Sequence, residues 1–261
     1  LSISAVKIGI ESNKPDAIEM MKKACDGHEG IEIVSLSARY PQGGEKQLVY
    51  ALTGRKVRNG ALPLDIGVIV LNVDTCYVIR RAVYEGRPVV DRVLTVGGTV
   101  QKPANYLARI GSPVEWFLDT SGGLLPETRM LIYGGPMMGM AQYTADIPVA
   151  KGTGAILAFC EKEEQTVEHP QCIRCGKCVA ACPVHLEPLF MYQYAEKGMV
   201  DELNEAHIMD CMECGACAYA CPARMHLTHM FKTGKQLVKN KMAADRAAAE
   251  AKKAAEAKKE A

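Results

Sequence analysis

Two runs of cysteine carry the chemistry that this sequence can do. Cys172, Cys175, Cys178 and Cys182 lead into Pro183, and Cys211, Cys214, Cys217 and Cys221 lead into Pro222, so C-x2-C-x2-C-x3-C-P occurs twice. Three thiolates at that spacing wrap one iron–sulfur cube, while the fourth cysteine points away and serves a neighbouring cube. The spacing therefore predicts two [4Fe–4S] clusters. One is held by Cys172, Cys175, Cys178 and Cys221; the other by Cys211, Cys214, Cys217 and Cys182. Gly176 and Gly215 allow a tight turn under each cluster, where a side chain would crowd the sulfides. Structural zinc prefers paired C-x2-C units closed by four ligands, and disulfides belong to oxidising compartments, so neither fits the doubled run. Cys25, Cys76 and Cys160 stand apart and are read as small core residues. Arg174 and Lys177 lie in the first run, whereas Asp210 and Glu213 flank the start of the second. Cations favour the more negative reduced state, so the first cluster is expected to have the higher reduction potential.

The rest of the chain must position these runs. Its 261 residues are 48% hydrophobic with a formal net charge of +1, enough for one large or two to three small domains and without a basic field that would invite nucleic acid. No apolar run reaches the roughly 18 residues of a membrane span, and no signal-peptide pattern is present. The chain opens at Leu1, just before its first expected strand, so an N-terminal portion is expected to precede it.

Apolar runs with β-branched residues predict strands at 6–10, 31–36 and 66–71. Pro15 and Asp16 start a helix whose apolar face is Ala17, Ile18, Met21 and Ala24, and strand–helix–strand of this length implies a parallel sheet. A glycine-bearing loop at 39–46 precedes a helix at 47–53, and the polar segment 72–75 precedes a helix at 76–85. Loops at the carboxyl ends of parallel strands are where such sheets bind ligands. Strands at 92–96 and 105–110, a capping box from Ser112 to Glu115 and a helix at 114–120 predict a small α+β unit. Met137, Met138 and Met140 are read as core filler, with a flavin pocket as the alternative. Residues 161–170 form a charged linker. Helices at 188–197 and 199–209, split by Gly198, predict a cluster region that is mainly helical. The Ala/Lys/Glu tail at 243–261 predicts a solvated helix without an apolar stripe.

Taken together, these segments resemble the C component of the Rnf electron-transport complex, an ion-translocating ferredoxin:NAD+ oxidoreductase of prokaryotic membranes. The resemblance is carried by residues 39–48 (Arg-Tyr-Pro-Gln-Gly-Gly-Glu-Lys-Gln-Leu), by 51–54 and 71–75, by 133–139 (Tyr-Gly-Gly-Pro-Met-Met-Gly), by 151–154 and by the two cysteine runs. That family is similar in turn to the flavoprotein subunit of respiratory complex I. The resemblance implies a multidomain α/β and α+β chain. Its parts are the C-terminal portion of a Rossmann-like FMN/NADH domain (1–90), a β-grasp soluble-ligand-binding domain with a return segment (91–160), a helical two-cluster ferredoxin domain (161–240) and a helical tail (241–261). It implies that Gly43, Gly44 and Glu45 face flavin and nicotinamide, and that Asn72, Asp74 and Thr75 lie beside FMN, Asp74 standing where the family carries Glu. The family's glycine-rich phosphate loop is expected upstream of Leu1.

The implied route runs from NAD(H) through FMN to the two clusters and on to partner subunits, membrane and ferredoxin-type, with ferredoxin reached directly or through them. The flavin is needed because a hydride brings two electrons and a cluster takes one. The implied location is peripheral, at the cytoplasmic face of the cell membrane. Two other functions share the pattern: a flavin/iron–sulfur cobalamin reductase of bacterial microcompartments, and an electron-wire module without catalysis.

Overall fold

The computed structural model describes residues 3–58, 60–163, 167 and 169–260. It divides into two compact units, 1–71 and 72–261. The first unit is built on strand β1 (Val6–Glu11), helix α1 (Pro15–Ala24) and strand β2 (Ile31–Leu36), with β1 and β2 parallel and Val6 opposite Ile31. This is the strand–helix–strand unit expected from the sequence. Helix α2 (Glu45–Thr53) begins at Glu45, two residues earlier than expected, behind Gly44 in extended conformation, and Gly54 ends it in the left-handed region. The strand expected at 66–71 does not form. A 3-10 turn occupies Pro63–Ile66, and Gly67 turns left-handed after it. Ile69 and Leu71, which the apolar pattern would bury, are each 51% exposed.

The second unit opens with helix α3 (Val73–Glu85), which starts three residues before the expected position because Asn72 caps it, its side-chain oxygen accepting from the Asp74 N–H at 2.9 Å. Strands β3 (Asp91–Gly98), β4 (Ala104–Arg109), β5 (Thr128–Tyr133), β6 (Met140–Gln142) and β7 (Ala155–Cys160) form one mixed sheet in the order β4-β3-β7-β5-β6. Only the β3–β7 pair is parallel. Helix α4 (Val114–Thr120) lies between β4 and β5 in sequence and buries Val114, Phe117 and Leu118 with Leu94, Val96, Ile156 and Ala158 from the sheet. One helix packed with a mixed sheet around a central parallel pair agrees with the β-grasp expectation. The capping box does not form: Pro113 is the residue before the helix and no side chain caps it, because Ser112 uses its backbone to pair with Arg109 and Val149.

The cysteine region is helical, as expected: α5 (Lys177–Ala180), α6 (Pro188–Glu196), α7 (Val200–Glu205), α8 (Ala216–Ala220) and α9 (Leu227–Glu260). The helix expected at 199–209 breaks after Glu205, because His207 takes φ 55 and a 3-10 turn follows at Ile208–Asp210. Met191, Leu203, Ile208, Leu227, Phe231 and Val238 form its core. Helix α9 approaches that core closely at Gly234, where a Cβ would stand 2.7 Å from Ile208 Cδ1. Past Met242 the same helix continues into the Ala/Lys/Glu tail, with exposed side chains at 243–252. The expected linker falls partly, at 164–166 and 168, outside the described residues. Among the described residues no helix is long and apolar enough to cross a membrane.

Candidate metal centres

The two cysteine runs are conformational copies. Arg174 and Glu213, each two residues past the first cysteine of its run, share φ 56, and His185 and Arg224, each three past the fourth cysteine, have φ 57 and 54. Gly176 and Gly215 are also left-handed, at φ 72 and 81. Non-glycine residues reach this region only at a cost of about 1–2 kcal/mol each, so four of them at matched positions mark a built site. What the strain obtains is visible at the sulfurs. The Arg174 N–H donates to Cys172 Sγ at 3.4 Å, and the Glu213 N–H donates to Cys211 Sγ at the same distance. The Leu186 N–H donates to Cys182 Sγ at 3.2 Å.

The cysteines fall into two groups, each of which draws on both runs. Burial raises the Cys178 thiol above its ordinary value, and Cys221 and Cys172 push in the same direction. Burial raises the Cys217 thiol to about 12, with Cys211, Cys214 and Cys182 adding to the effect. Cys211 is raised by burial too, against the Glu213 N–H and Lys235, with Cys182 adding. Thiols that burial holds protonated are good ligands only to a cation strong enough to take their protons. Cys182, Cys211, Cys214 and Cys217 also line one pocket together with Pro188, Met191, Thr228 and Phe231. Among the described residues no three His, Cys, Asp or Glu side chains converge tightly enough for a single metal ion. Thiolates around a cavity, one for each iron, are what a cube of four irons requires. The donor set therefore fits a cluster better than a mononuclear metal.

The two groups differ in their surroundings. Cys172 and Cys175 of the first group are exposed, and so is Ile173 between them, with only Cys221 of that group buried, whereas Cys214 and Cys217 of the second are buried. Lys235 of α9 donates to the Cys211 carbonyl and, at 2.7 Å, to the Glu213 carboxylate, with its side chain 13% exposed. This pairing offsets part of the acidic character expected near the second run, so the charge contrast between the runs is smaller than the sequence implied. Sequence reasoning missed Lys235 and Thr228 because both arrive on α9, beyond either motif.

The glycine loop at 134–139 is placed against the second run. Its Gly139 N–H closes on the Gly135 carbonyl at 2.8 Å, and the Met137 carbonyl lies 2.6 Å from where a Cβ on Gly215 would stand. Met138 in this loop and Met140 at the start of β6 are 51% and 57% exposed, and Met137 is only partly buried, so the three are not core filler. Cys76 is exposed on α3, and Cys25 and Cys160 are partly exposed, so none of the three is a buried core residue.

The residues expected around a flavin belong to different units. Gly43, Gly44 and Glu45 form the entry to α2 in the first unit. No heavy atom lies within 4 Å of where a Gly43 Cβ would stand, and Gln47 Oε1, one turn on, is buried without a hydrogen-bond partner. In the second unit Asn72 is occupied in capping α3, while Asp74 and Thr75 lie in its first turn. Asp74 is 3.9 Å from Arg92.

Family models match three stretches of the chain: the Nuo51 FMN-binding domain over residues 1–81, the SLBB domain over 93–141, and the 4Fe-4S dicluster domain over 165–222. These matches support FMN and [4Fe–4S] clusters as cofactors. The chain is 43% identical over 208 residues to the C component of the proton-translocating ferredoxin:NAD+ oxidoreductase complex of Clostridium ljungdahlii, covering 79% of this chain and 45% of that one. It is 44% identical over 204 residues to the C component of the Na+-translocating ferredoxin:NAD+ oxidoreductase complex of Acetobacterium woodii, covering 78% and 46%. A third relative, the C component of the ion-translocating oxidoreductase complex of Erwinia tasmaniensis, is 40% identical over 212 residues, covering 80% and 26%. The chain thus spans less than half the length of the curated relatives it matches. An NAD+-reducing [NiFe]-hydrogenase in the H2-reduced state aligns with a TM-score of 0.49 at 15% identity, over 85% of this chain and 38% of that one.

Proposed function

We propose that this chain, similar over about four-fifths of its length to the C components of ferredoxin:NAD+ oxidoreductase complexes, is the electron-input part of such a component. In this reading it passes electrons between NAD(H) and two [4Fe–4S] clusters by way of FMN, peripherally at the cytoplasmic face of a prokaryotic membrane. Its partners are the other subunits of the complex, with ferredoxin reached directly or through them. In this reading the chain carries a flavin domain to about residue 90, a β-grasp domain to 160, a cluster domain to 240 and a helical tail.

The observation that carries the reading is the cross-grouping of the cysteines. Cys182 of the first run lines one pocket with Cys211, Cys214 and Cys217 of the second, and burial raises the Cys178 and Cys217 thiols, with Cys221 of the second run adding at Cys178 and Cys182 of the first at Cys217. We assign Cys172, Cys175, Cys178 and Cys221 to the first cluster and Cys211, Cys214, Cys217 and Cys182 to the second. The strained backbone at Arg174, Glu213 and His185 turns N–H groups toward the ligating sulfurs. Gly43, Gly44, Glu45, Asn72, Asp74 and Thr75 are assigned to the flavin and nicotinamide wall. Gly43 leaves open the space that a ring would approach. When bound, FMN takes a hydride pair and the clusters take single electrons, which joins a two-electron donor to one-electron carriers.

The test is Cys182→Ser in the anaerobically reconstituted chain. The parent binds about eight iron and eight sulfide. The variant loses the EPR signature of the second cluster and keeps the first, although Cys182 lies in the first run. Loss of the first cluster instead would overturn the pairing, and a parent holding only about four iron would overturn the two-cluster reading.

A further inference from the structure

A buried hydroxyl stands in the wall of the second cysteine cavity with nothing to bind. Thr228, the second residue of α9, lines the cavity with Cys182, Cys211, Cys214 and Cys217, and its Oγ1 is buried without a hydrogen-bond partner. Buried hydroxyls are nearly always paired, so an orphan calls for an explanation. A helical threonine has a default acceptor, the carbonyl four residues back. Thr53 uses it, donating to Val49 at 2.7 Å, as do Thr120 with Trp116 at 2.7 Å and Thr233 on α9 itself with His229 at 3.4 Å. For Thr228 that carbonyl would be Arg224's, which lies before the helix in a left-handed turn. The helix start thus withholds the usual partner and leaves the hydroxyl in a wall whose side-chain polar groups are four cysteines and Glu213. The Glu213 carboxylate is already held by Lys235.

We propose that Thr228 Oγ1 donates a hydrogen bond to a sulfur of the second [4Fe–4S] cluster, a bridging sulfide or a ligating thiolate, and so raises that cluster's reduction potential. The inference rests on the assignment of Cys182, Cys211, Cys214 and Cys217 as its ligands. A donor at a cluster sulfur favours the reduced state, which carries the extra negative charge. The first run has no counterpart. Helix α6 follows it as α9 follows the second, Pro188 matching Leu227, and the residue matching Thr228 is Leu189, which has no donor. Thr228 is thus an asymmetry between two sites with the same ligand set, and it acts on the second alone. It is a positioning and tuning residue rather than a catalytic one.

The experiment compares the full chain with Thr228→Val, which keeps the shape and removes the hydroxyl, and with Thr228→Ser, which keeps the hydroxyl. All three are reconstituted anaerobically and titrated with EPR detection, the second cluster's signal being the one that Cys182→Ser removes. In Thr228→Val the reduced-to-oxidised ratio of the second cluster at a fixed potential falls roughly three- to tenfold; tenfold is about 59 mV for one electron. The first cluster does not move, and Thr228→Ser returns the second toward the parent. After exchange into deuterated water, pulsed EPR of the parent detects a deuteron coupled to the second cluster that Thr228→Val lacks. An unmoved second cluster in Thr228→Val, or equal shifts in the Val and Ser variants, overturns the inference. So does a parent without the coupled deuteron, which makes the result independent of how well the variants fold. A parent that binds only about four iron fails at the ligand assignment, and the inference falls with it.

Discussion

Gly176 and Gly215 occupy the same position in two copies of one motif, so substituting each by alanine separates backbone strain from packing. Both are left-handed, at φ 72 and 81, so alanine at either costs about 1 kcal/mol from conformation alone. Their neighbourhoods differ. Nothing lies within 4 Å of a Cβ at 176, whereas a Cβ at 215 meets the Met137 carbonyl at 2.6 Å. That oxygen is backbone, in a loop closed by the Gly139-to-Gly135 hydrogen bond, so it cannot swing aside as the end of a long side chain would. Forcing the two apart adds about 1–3 kcal/mol, typical of overpacking. Gly176→Ala should therefore cost about 1 kcal/mol, and Gly215→Ala about 2–4 kcal/mol. The assay is denaturant-induced bleaching of the reconstituted chain, with EPR reporting each cluster separately. Gly176→Ala should bleach near the parent midpoint. Gly215→Ala should bleach at clearly lower denaturant and lose its second cluster first. Equal midpoints for the two variants would refute the idea that the 134–139 loop bears on the second run, and with it the contact described for Met137.

Other outcomes follow from the same surroundings. On admission of air the first cluster should decay before the second, because Cys172 and Cys175 are exposed while Cys214 and Cys217 are buried; timed EPR gives the order. Lys235→Met should lower the second cluster's midpoint by about 40 mV, the equivalent of about 1 kcal/mol, because a nearby cation is removed and Glu213 is left unpaired. Adding Glu213→Gln should restore most of that shift, and a further fall in the double variant would contradict it. Phe231→Ala removes a fully buried ring from the cavity wall and should cost about 3–5 kcal/mol in a denaturation titration.

Much of the site could be read from spacing, because a cluster's geometry is written into the intervals between its cysteines. Helices around it, the strand–helix–strand of the first unit, and strands β3 and β4 with helix α4 were legible from periodicity and from glycine and proline placement, whereas the pairing of β5, β6 and β7 into a mixed sheet was not. The apolar stretch 66–71 misled, because composition cannot distinguish a buried strand from an exposed segment, and Gly67 takes the left-handed conformation that interrupts the run. The wall of the second cavity was not legible. Met137, Thr228 and Lys235 reach the second run from a distant loop and from α9, and nothing in their local sequence announces the approach. Both the exposed cysteine of α3 and the missing capping box show local pattern overruled by where the element finally lies.

The exchange of fourth cysteines also acts on the chain when it is not folded. If Cys221 closes the first site and Cys182 the second, each cluster is an inorganic cross-link, tying together positions about 30 to 50 residues apart. By the loop-closure argument used for disulfides, each tie removes unfolded-chain freedom worth about 4 kcal/mol. The two ties also overlap, since the segment between the runs lies inside both loops. They interlock like two links of a chain, and opening one leaves that segment still anchored by the other. Loss of a single cluster should therefore leave the helical region compact, and its collapse should wait for the second.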